Sequence, residues 1–376
     1  MIDGFSFFKK RRFPLNRNKF KFDLIFSPIL IGPFILVIIS SLLIKSIQNQ
    51  STSNDFLSHL FTGICGYCLA IIISYIPLDR LKKYVFPFYF ISIFSLVLVY
   101  FFGITIYGAQ RWLSLGLFTF QPSEVAKLST LLAIALALEK KKINYLKDLT
   151  EPIILVSFPW ILIFFQPDLG TSILIAAGGV IVAWLAGVRA KFFTISGVAM
   201  LALLPIAISF LKPYQKSRIL TFLNPERDPL GAGYQIIQSK IAIGSGGLFG
   251  KGFLNGSQSY LDYLPEKHTD FIFTLFSEEF GFFGSLFILF LYALILSRII
   301  RIGHMTRSNF GKLYCYSFAT AFFIYVAVNM MMVLGLLPIV GSPLPIMSYG
   351  GSSMMAIMFG LGIVMSCKIY KDVPVN

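Results

Sequence analysis

The sequence predicts an all-α, polytopic integral membrane protein of about ten transmembrane helices, with both termini on the cytoplasmic side. Three observations predict it: a composition too apolar for a hydrated surface, a series of continuous apolar runs of spanning length, and basic residues that recur in every second connection. Hydrophobic residues make up 56% of the 376 and charged residues only 13%, with a mean hydropathy of +0.77. A fold in water would leave much of that apolar surface exposed. In hydrocarbon no backbone amide can go unpaired, which restricts spans to helices or closed barrels. The runs here are continuous rather than alternating, so barrel strands are excluded.

At about 20 residues per crossing, helices are expected near residues 24–44, 57–78, 84–104, 124–138, 151–165, 170–187, 192–211, 271–297, 313–334 and 351–367. A basic stretch, Lys9-Lys10-Arg11-Arg12 with Arg17, Lys19 and Lys21, precedes the first run, which has no small-residue cleavage site. Residues 1–22 therefore read as a retained cytoplasmic tail, and residues 23–376 as one transmembrane domain. Arg80-Leu-Lys82-Lys83, Lys140-Lys141-Lys142, Arg189 with Lys191, Arg298 through Lys312, and Lys368 with Lys371 all fall on the side of that tail. The positive-inside rule makes that side cytoplasmic.

The outer side receives a loop carrying Arg111, a Gln166-Pro-Asp168-Leu-Gly turn, a large segment of about residues 212–270 between the seventh and eighth helices, and a chargeless Pro/Gly-rich loop near 335–351. The apolar stretch Ile236–Phe249 is expected to pack back onto the bundle. No internal repeat or low-complexity tract is present. The net charge of +15 raises the question of nucleic acid, but basic residues lying between apolar runs act as topology signals and touch the anionic headgroups of membrane lipids. No nucleic-acid partner is expected. Cys65-Gly-Tyr-Cys68 has the spacing of a redox or zinc motif, yet it sits inside an apolar span, where two small soft residues facing a helix neighbour are the better reading.

The external polar clusters carry the candidate chemistry. In Tyr263-Leu-Pro265-Glu266-Lys267-His268-Thr269-Asp270, a carboxylate at the mouth of the eighth span is either a partly desolvated general base for a sugar hydroxyl or a helix cap. Gln121-Pro-Ser-Glu124-Val-Ala-Lys127 puts opposite charges three residues apart on one helix face inside the membrane. Such charges are functional candidates, or a structural ion pair. Asp168 either faces the same cavity or bonds its own turn. Glu278 and Glu279 lie roughly 12–14 Å below Asp270 at helical rise, and interhelical hydrogen bonding suits them best. Arg218, Asn224-Pro-Glu226-Arg227-Asp228 and the glycine-rich run Gly244–Gly252 offer cations and amides suited to a diphosphate, although the run lacks the spacing of a nucleotide-binding loop. The uncharged loop with Pro338, Gly341, Pro343, Pro345 and Tyr349-Gly-Gly is tolerable at membrane depth only where backbone lines a cavity. His59, His268 and His304 are dispersed, so no His/Cys zinc site can be assembled. A divalent cation such as Mg or Mn, held by carboxylates and a bound phosphate, is compatible with the residues.

Five stretches in order resemble the SEDS family (shape, elongation, division and sporulation proteins): Gly108-Ala-Gln-Arg111-Trp-Leu, Gln121 through Lys127, Gln166-Pro-Asp168-Leu-Gly-Thr-Ser, Leu264 through Asp270-Phe-Ile-Phe, and Leu337-Pro through Ser348-Tyr-Gly-Gly. Asp228-Pro-Leu-Gly-Ala-Gly-Tyr-Gln, Ile241 through Leu248 and Lys267 are similar to the elongation-type member. Ser342 and Ile346 depart from the commoner wording of the last stretch. The resemblance implies a peptidoglycan glycosyltransferase of the bacterial inner (cytoplasmic) membrane that polymerises lipid II and undecaprenyl-linked glycan, with a class B penicillin-binding protein and other elongation-complex proteins as partners. It implies an essential carboxylate at Asp270 and supporting roles for Glu124 and Lys127. Diphosphate contacts are expected from Arg111, Arg218, Lys267 and His268. A flippase for the lipid-linked precursor and a non-catalytic scaffold for a transpeptidase are the competing readings.

Overall fold

The computed structural model describes residues 28–48, 54–106, 109–114, 116, 119–140, 146–166, 168–209, 213–228, 231–256 and 268–371. The N-terminal tail and Lys267 therefore lie outside the described residues. Each of the ten expected spans is a helix: α1 Pro28–Gln48, α2 Asp55–Ser74, α3 Leu78–Phe102, α4 Pro122–Leu138, α5 Thr150–Phe165, α6 Leu169–Leu185 and α7 Ala190–Ser209, then α10 Ile272–Met305, α11 Asn309–Val333 and α12 Gly351–Ile369. Two further helices, α8 Pro213–Leu223 and α9 Ala232–Ser245, belong to the large external segment. The chain is a multi-pass membrane protein.

Helix starts follow local chemistry. Pro77 precedes the first turn of α3, so Arg80, Lys82 and Lys83 lie within the helix rather than in the loop that charge alone suggests. Lys82 reaches Glu139 at the end of α4, 2.5 Å away. Pro122 opens α4, where its missing N–H costs nothing. Asp168 caps α6 by accepting from the Thr171 amide, and Ser308 caps α11 by accepting from the Gly311 amide.

The bundle is built around α4, which is buried along most of its length and touches α3, α5, α6, α11 and α12. Beside it, α2 packs against α12 and α1 through small residues. A Cβ on Gly63 would come within 2.4 Å of Val37, one on Gly66 within 2.9 Å of Met358, and one on Gly362 within 2.8 Å of the Ala70 carbonyl. Close helix approach in lipid relies on such positions. These glycines, not the cysteines, make the approach: Cys65 is half-buried and Cys68 is exposed.

Three short antiparallel strands, β1 Ile104–Ile106, β2 Ala109–Ser114 and β3 Thr119–Phe120, cap the bundle externally between α3 and α4. Sequence periodicity gave no sign of them, because each is too short to show alternation. Within the external segment, α9 lies against α10 and α11 as expected. Ser239 joins all three elements, its hydroxyl 2.7 Å from Thr274 Oγ1 and donating to the Val333 carbonyl at 2.7 Å.

The eighth span is not continuous. Gly281 takes φ 68°, ψ −160° and interrupts α10, leaving turn carbonyls and amides without helical partners. The glycine-rich run supplies them. Lys251 and Gly252 amides donate to the Glu278 and Glu279 carbonyls at 3.0 Å each, and the Phe282 and Phe283 amides donate to the Gly247 and Leu248 carbonyls at 2.9 and 3.2 Å. Gly250 must be glycine here, since its φ is +81° and a Cβ would meet the Glu279 carbonyl at 2.1 Å. The run expected to present amides to a diphosphate thus heals a broken helix, and its lysine pairs with Glu278 at 2.7 Å.

Candidate active site

Asp270 occupies the turn just before α10, half-buried. Three consecutive backbone carbonyls there are each held from elsewhere in the chain. The Tyr349 amide donates to the His268 carbonyl at 2.9 Å, Ser348 Oγ to the Thr269 carbonyl at 2.6 Å, and Asn329 Nδ2 to the Asp270 carbonyl at 2.9 Å. The donors come from α11 and from the loop that follows it, residues 335–350. That loop is the part sequence reading described as broken, chargeless backbone.

The loop also takes in Arg218 and packs against α6 and α10. Arg218, on α8, donates from Nη1 to the Ile339 carbonyl at 3.0 Å. Gly170, in the first turn of α6, abuts Val340 so closely that a Cβ would stand 2.9 Å from its carbonyl oxygen. Gly341 has φ +67°, and a Cβ there would lie 3.7 Å from Asp270 Oδ2. Tyr292, fully buried in α10, donates to the Pro345 carbonyl at 2.6 Å. Ile346 is held at φ 71°, a conformation that costs a β-branched residue on the order of 1–3 kcal/mol and persists only where neighbours impose it.

Two charge pairs flank this frame. Asp168, 2% exposed, accepts from the Thr171 hydroxyl at 2.9 Å and the Thr171 amide at 3.2 Å. Arg111, from β2, approaches it at 3.7 Å. Asp168 is thus both the turn residue and a member of an external ion pair. Glu124, 5% exposed, pairs with Lys127 at 2.6 Å, and the Lys127 ammonium sits 4.1 Å from the centroid of the Tyr325 ring. A cavity of about 60 Å³ beside this pair is lined by Tyr325 and by Pro345 of the organising loop.

A larger groove of about 600 Å³ opens among α2, α3, α4 and α12, with an apolar lining that includes Phe61, Leu69, Phe88, Leu128 and Phe359. Its rim carries Ser58, Gly351 and Ser352. Tyr349 lies next to that rim, with its hydroxyl 3.4 Å from Ser58 Oγ and its ring stacked on His59. The Tyr349 amide secures the His268 carbonyl, so one residue links the edge of the groove to the Asp270 turn. Among the described residues, no group of three or more His, Cys, Asp or Glu side chains is close enough to hold a metal ion. A cation here would rest on fewer protein carboxylates and on phosphate oxygens of a substrate.

Glu278 and Glu279 are buried away from the frame. Glu279 accepts from Ser46 of α1 at 2.5 Å, the interhelical role expected of it. Asn329, fully buried within α11, was not singled out by the sequence. Its signal was an amide side chain alone in an apolar span.

A chain of the same fold occurs in a peptidoglycan synthase complex whose structure concerns the coordination of polymerization and crosslinking. It superposes with a TM-score of 0.79 at 32% identity over 92% of this chain and 98% of that one. The crystal structure of the Thermus thermophilus rod shape determining protein RodA superposes with a TM-score of 0.70 at 28% identity, covering 92% and 97%. The peptidoglycan glycosyltransferase MrdB of Escherichia coli is 44% identical over 308 residues, 81% of this chain and 83% of that protein. A probable peptidoglycan glycosyltransferase FtsW of Trichlorobacter lovleyi is 36% identical over 88% of each chain. The cell cycle protein model that groups FtsW, RodA and SpoVE matches residues 22–372, a stretch that takes in every described helix and the whole Asp270 frame, and the chain belongs to that family.

Proposed function

We propose that this chain is a peptidoglycan glycosyltransferase that polymerises lipid II at the outer face of the bacterial inner membrane, with Asp270 as its general base. The observation that carries the reading is the bracing of residues 268–270 by three separate donors beside an apolar groove. Such rigidity is wasteful for a helix cap and suits a group that must meet a substrate hydroxyl within hydrogen-bond reach. The groove's aromatic and aliphatic lining suits a polyprenyl chain, with the sugars at its polar rim.

In the reaction, the 4-hydroxyl of an acceptor N-acetylglucosamine attacks C1 of the donor N-acetylmuramic acid. Asp270 takes the hydroxyl proton as the new C–O bond forms. The bond from C1 to the diphosphate oxygen breaks, and undecaprenyl diphosphate leaves with the electron pair. One displacement inverts C1 and needs one catalytic carboxylate. Positive charge for the leaving group is drawn from Arg111, Arg218 and Lys127, with Lys267 and His268, three and two residues before Asp270 in the sequence, as further contacts. Glu124 and Asp168 hold two of these cations in place. A class B penicillin-binding protein is the partner that crosslinks the product, as the synthase-complex likeness suggests.

Purified protein in liposomes supplied with lipid II tests this. Asp270→Asn preserves shape and removes the base, so polymer should fall by about 10²–10⁴-fold with folding intact. Near-normal polymer from that variant refutes the role. Precursor translocation without polymer from the unaltered protein supports a flippase instead.

A further inference from the structure

One side chain of α11 braces the Asp270 turn alongside Ser348 and the Tyr349 amide. Asn329 donates through the same Nδ2 to two carbonyls, that of Asp270 at 2.9 Å and that of Ser342 at 2.7 Å. It therefore ties Asp270, two residues before α10, directly to the loop whose Gly341 faces the Asp270 carboxylate. Its own Oδ1, also buried, has no hydrogen-bond partner among the described residues. Turning the amide over would set that oxygen against two carbonyl oxygens, so the donor orientation is fixed by its surroundings.

An amide that is fully buried in an apolar span and leaves its acceptor unmatched is costly as architecture. An apolar residue of the same size would pack there, but it would release both carbonyls. We propose that Asn329 is a positioning residue that sets the distance between Asp270 and the loop of residues 341–349, and so the place at which the base meets its substrate. This rests on the reading of Asp270 as the base. The loop around it is strained and multiply pinned: Ile346 holds φ 71° while Tyr292 grips Pro345 and Ser348 grips Thr269. Asn329, from α11, bonds both halves of the frame at once.

The test uses the full-length chain in liposomes with lipid II, comparing Asn329→Leu, Asn329→Asp and Asp270→Asn. Asn329→Asp fills the same volume, which guards against a folding failure of the leucine variant. Displacing a reacting group by about 1 Å costs up to about 100-fold, so both Asn329 variants should lose about 10- to 100-fold in kcat, with KM for lipid II within about twofold. The acid limb of the kcat profile against pH should also move, because the carboxylate's surroundings change. Loss of correctly folded protein would scale that profile without moving the limb.

An unmoved limb with kcat falling only in step with folded protein overturns the proposal, as does kcat within about twofold of the unaltered chain. An inactive Asp270→Asn beside a normal Asn329→Asp removes the positioning role alone. An active Asp270→Asn removes the base, and the positioning role with it.

Discussion

The Lys127 ammonium rests 2.6 Å from Glu124 and covers the Tyr325 ring at 4.1 Å, joining α4 to α11. Lys127→Met leaves a carboxylate buried without its cation, a change that costs about 3–5 kcal/mol. Both thermal midpoint and polymer yield should fall. The double variant Glu124→Gln with Lys127→Met removes both charges, so its midpoint should recover most of the loss while polymerisation stays low. Full activity in that double variant would reduce the pair to architecture.

Gly341→Ala probes the space in front of the base. The position has φ +67°, and the added methyl would lie 3.7 Å from Asp270 Oδ2. Strain of about 1–3 kcal/mol should lower the midpoint modestly. The methyl, where substrate is to approach, should lower kcat by about tenfold or more. A variant that is less stable yet turns over normally would show that substrate approaches from another side.

Gly281→Ala tests the healed break in α10. Its φ of +68° and the Gly250 amide nitrogen 2.3 Å from an added Cβ leave no room. A loss of several degrees in thermal midpoint is expected in detergent, since backbone on both sides must shift. An unchanged midpoint would mean that the two strands part without cost.

Ser46→Ala removes the hydroxyl that Glu279 accepts from. An under-satisfied buried carboxylate costs about 1–3 kcal/mol, so stability should drop while polymer per folded molecule is kept. A selective loss of turnover would instead tie Glu279 to the reaction.

Hydropathy made the ten expected helices legible, because it is a local property of consecutive residues. The same locality explains what was missed. Nothing near Gly281 announces a break, for the amides and carbonyls that repair it come from residues 247–252, and a continuous apolar run reads as a continuous helix. Arg80 and Lys82 read as loop charges, yet they lie within α3 because Pro77 sets its start. At the site, Asp270, Glu124, Lys127 and Asp168 stood out as charges beside or within apolar chain. Asn329 did not, since its meaning lies in two carbonyls 59 and 13 residues away. The loop's chargeless wording suggested a cavity wall. Its actual work, holding two of the three successive carbonyls and accepting from Arg218, is a matter of backbone geometry that side-chain types do not encode.

The spliced turn of α10 has a bearing on biogenesis. In hydrocarbon, amides stripped of helical partners are a steep barrier to insertion, and Gly281 lies about 13 Å along the helix from Ile272. The strand that relieves the barrier stands earlier in the chain, so it leaves the ribosome first and is waiting when the interrupted helix arrives. Translation order thereby supplies a clasp ahead of the piece it must fasten. A chain permuted to emit α10 before residues 247–252 would have to admit that bare turn alone.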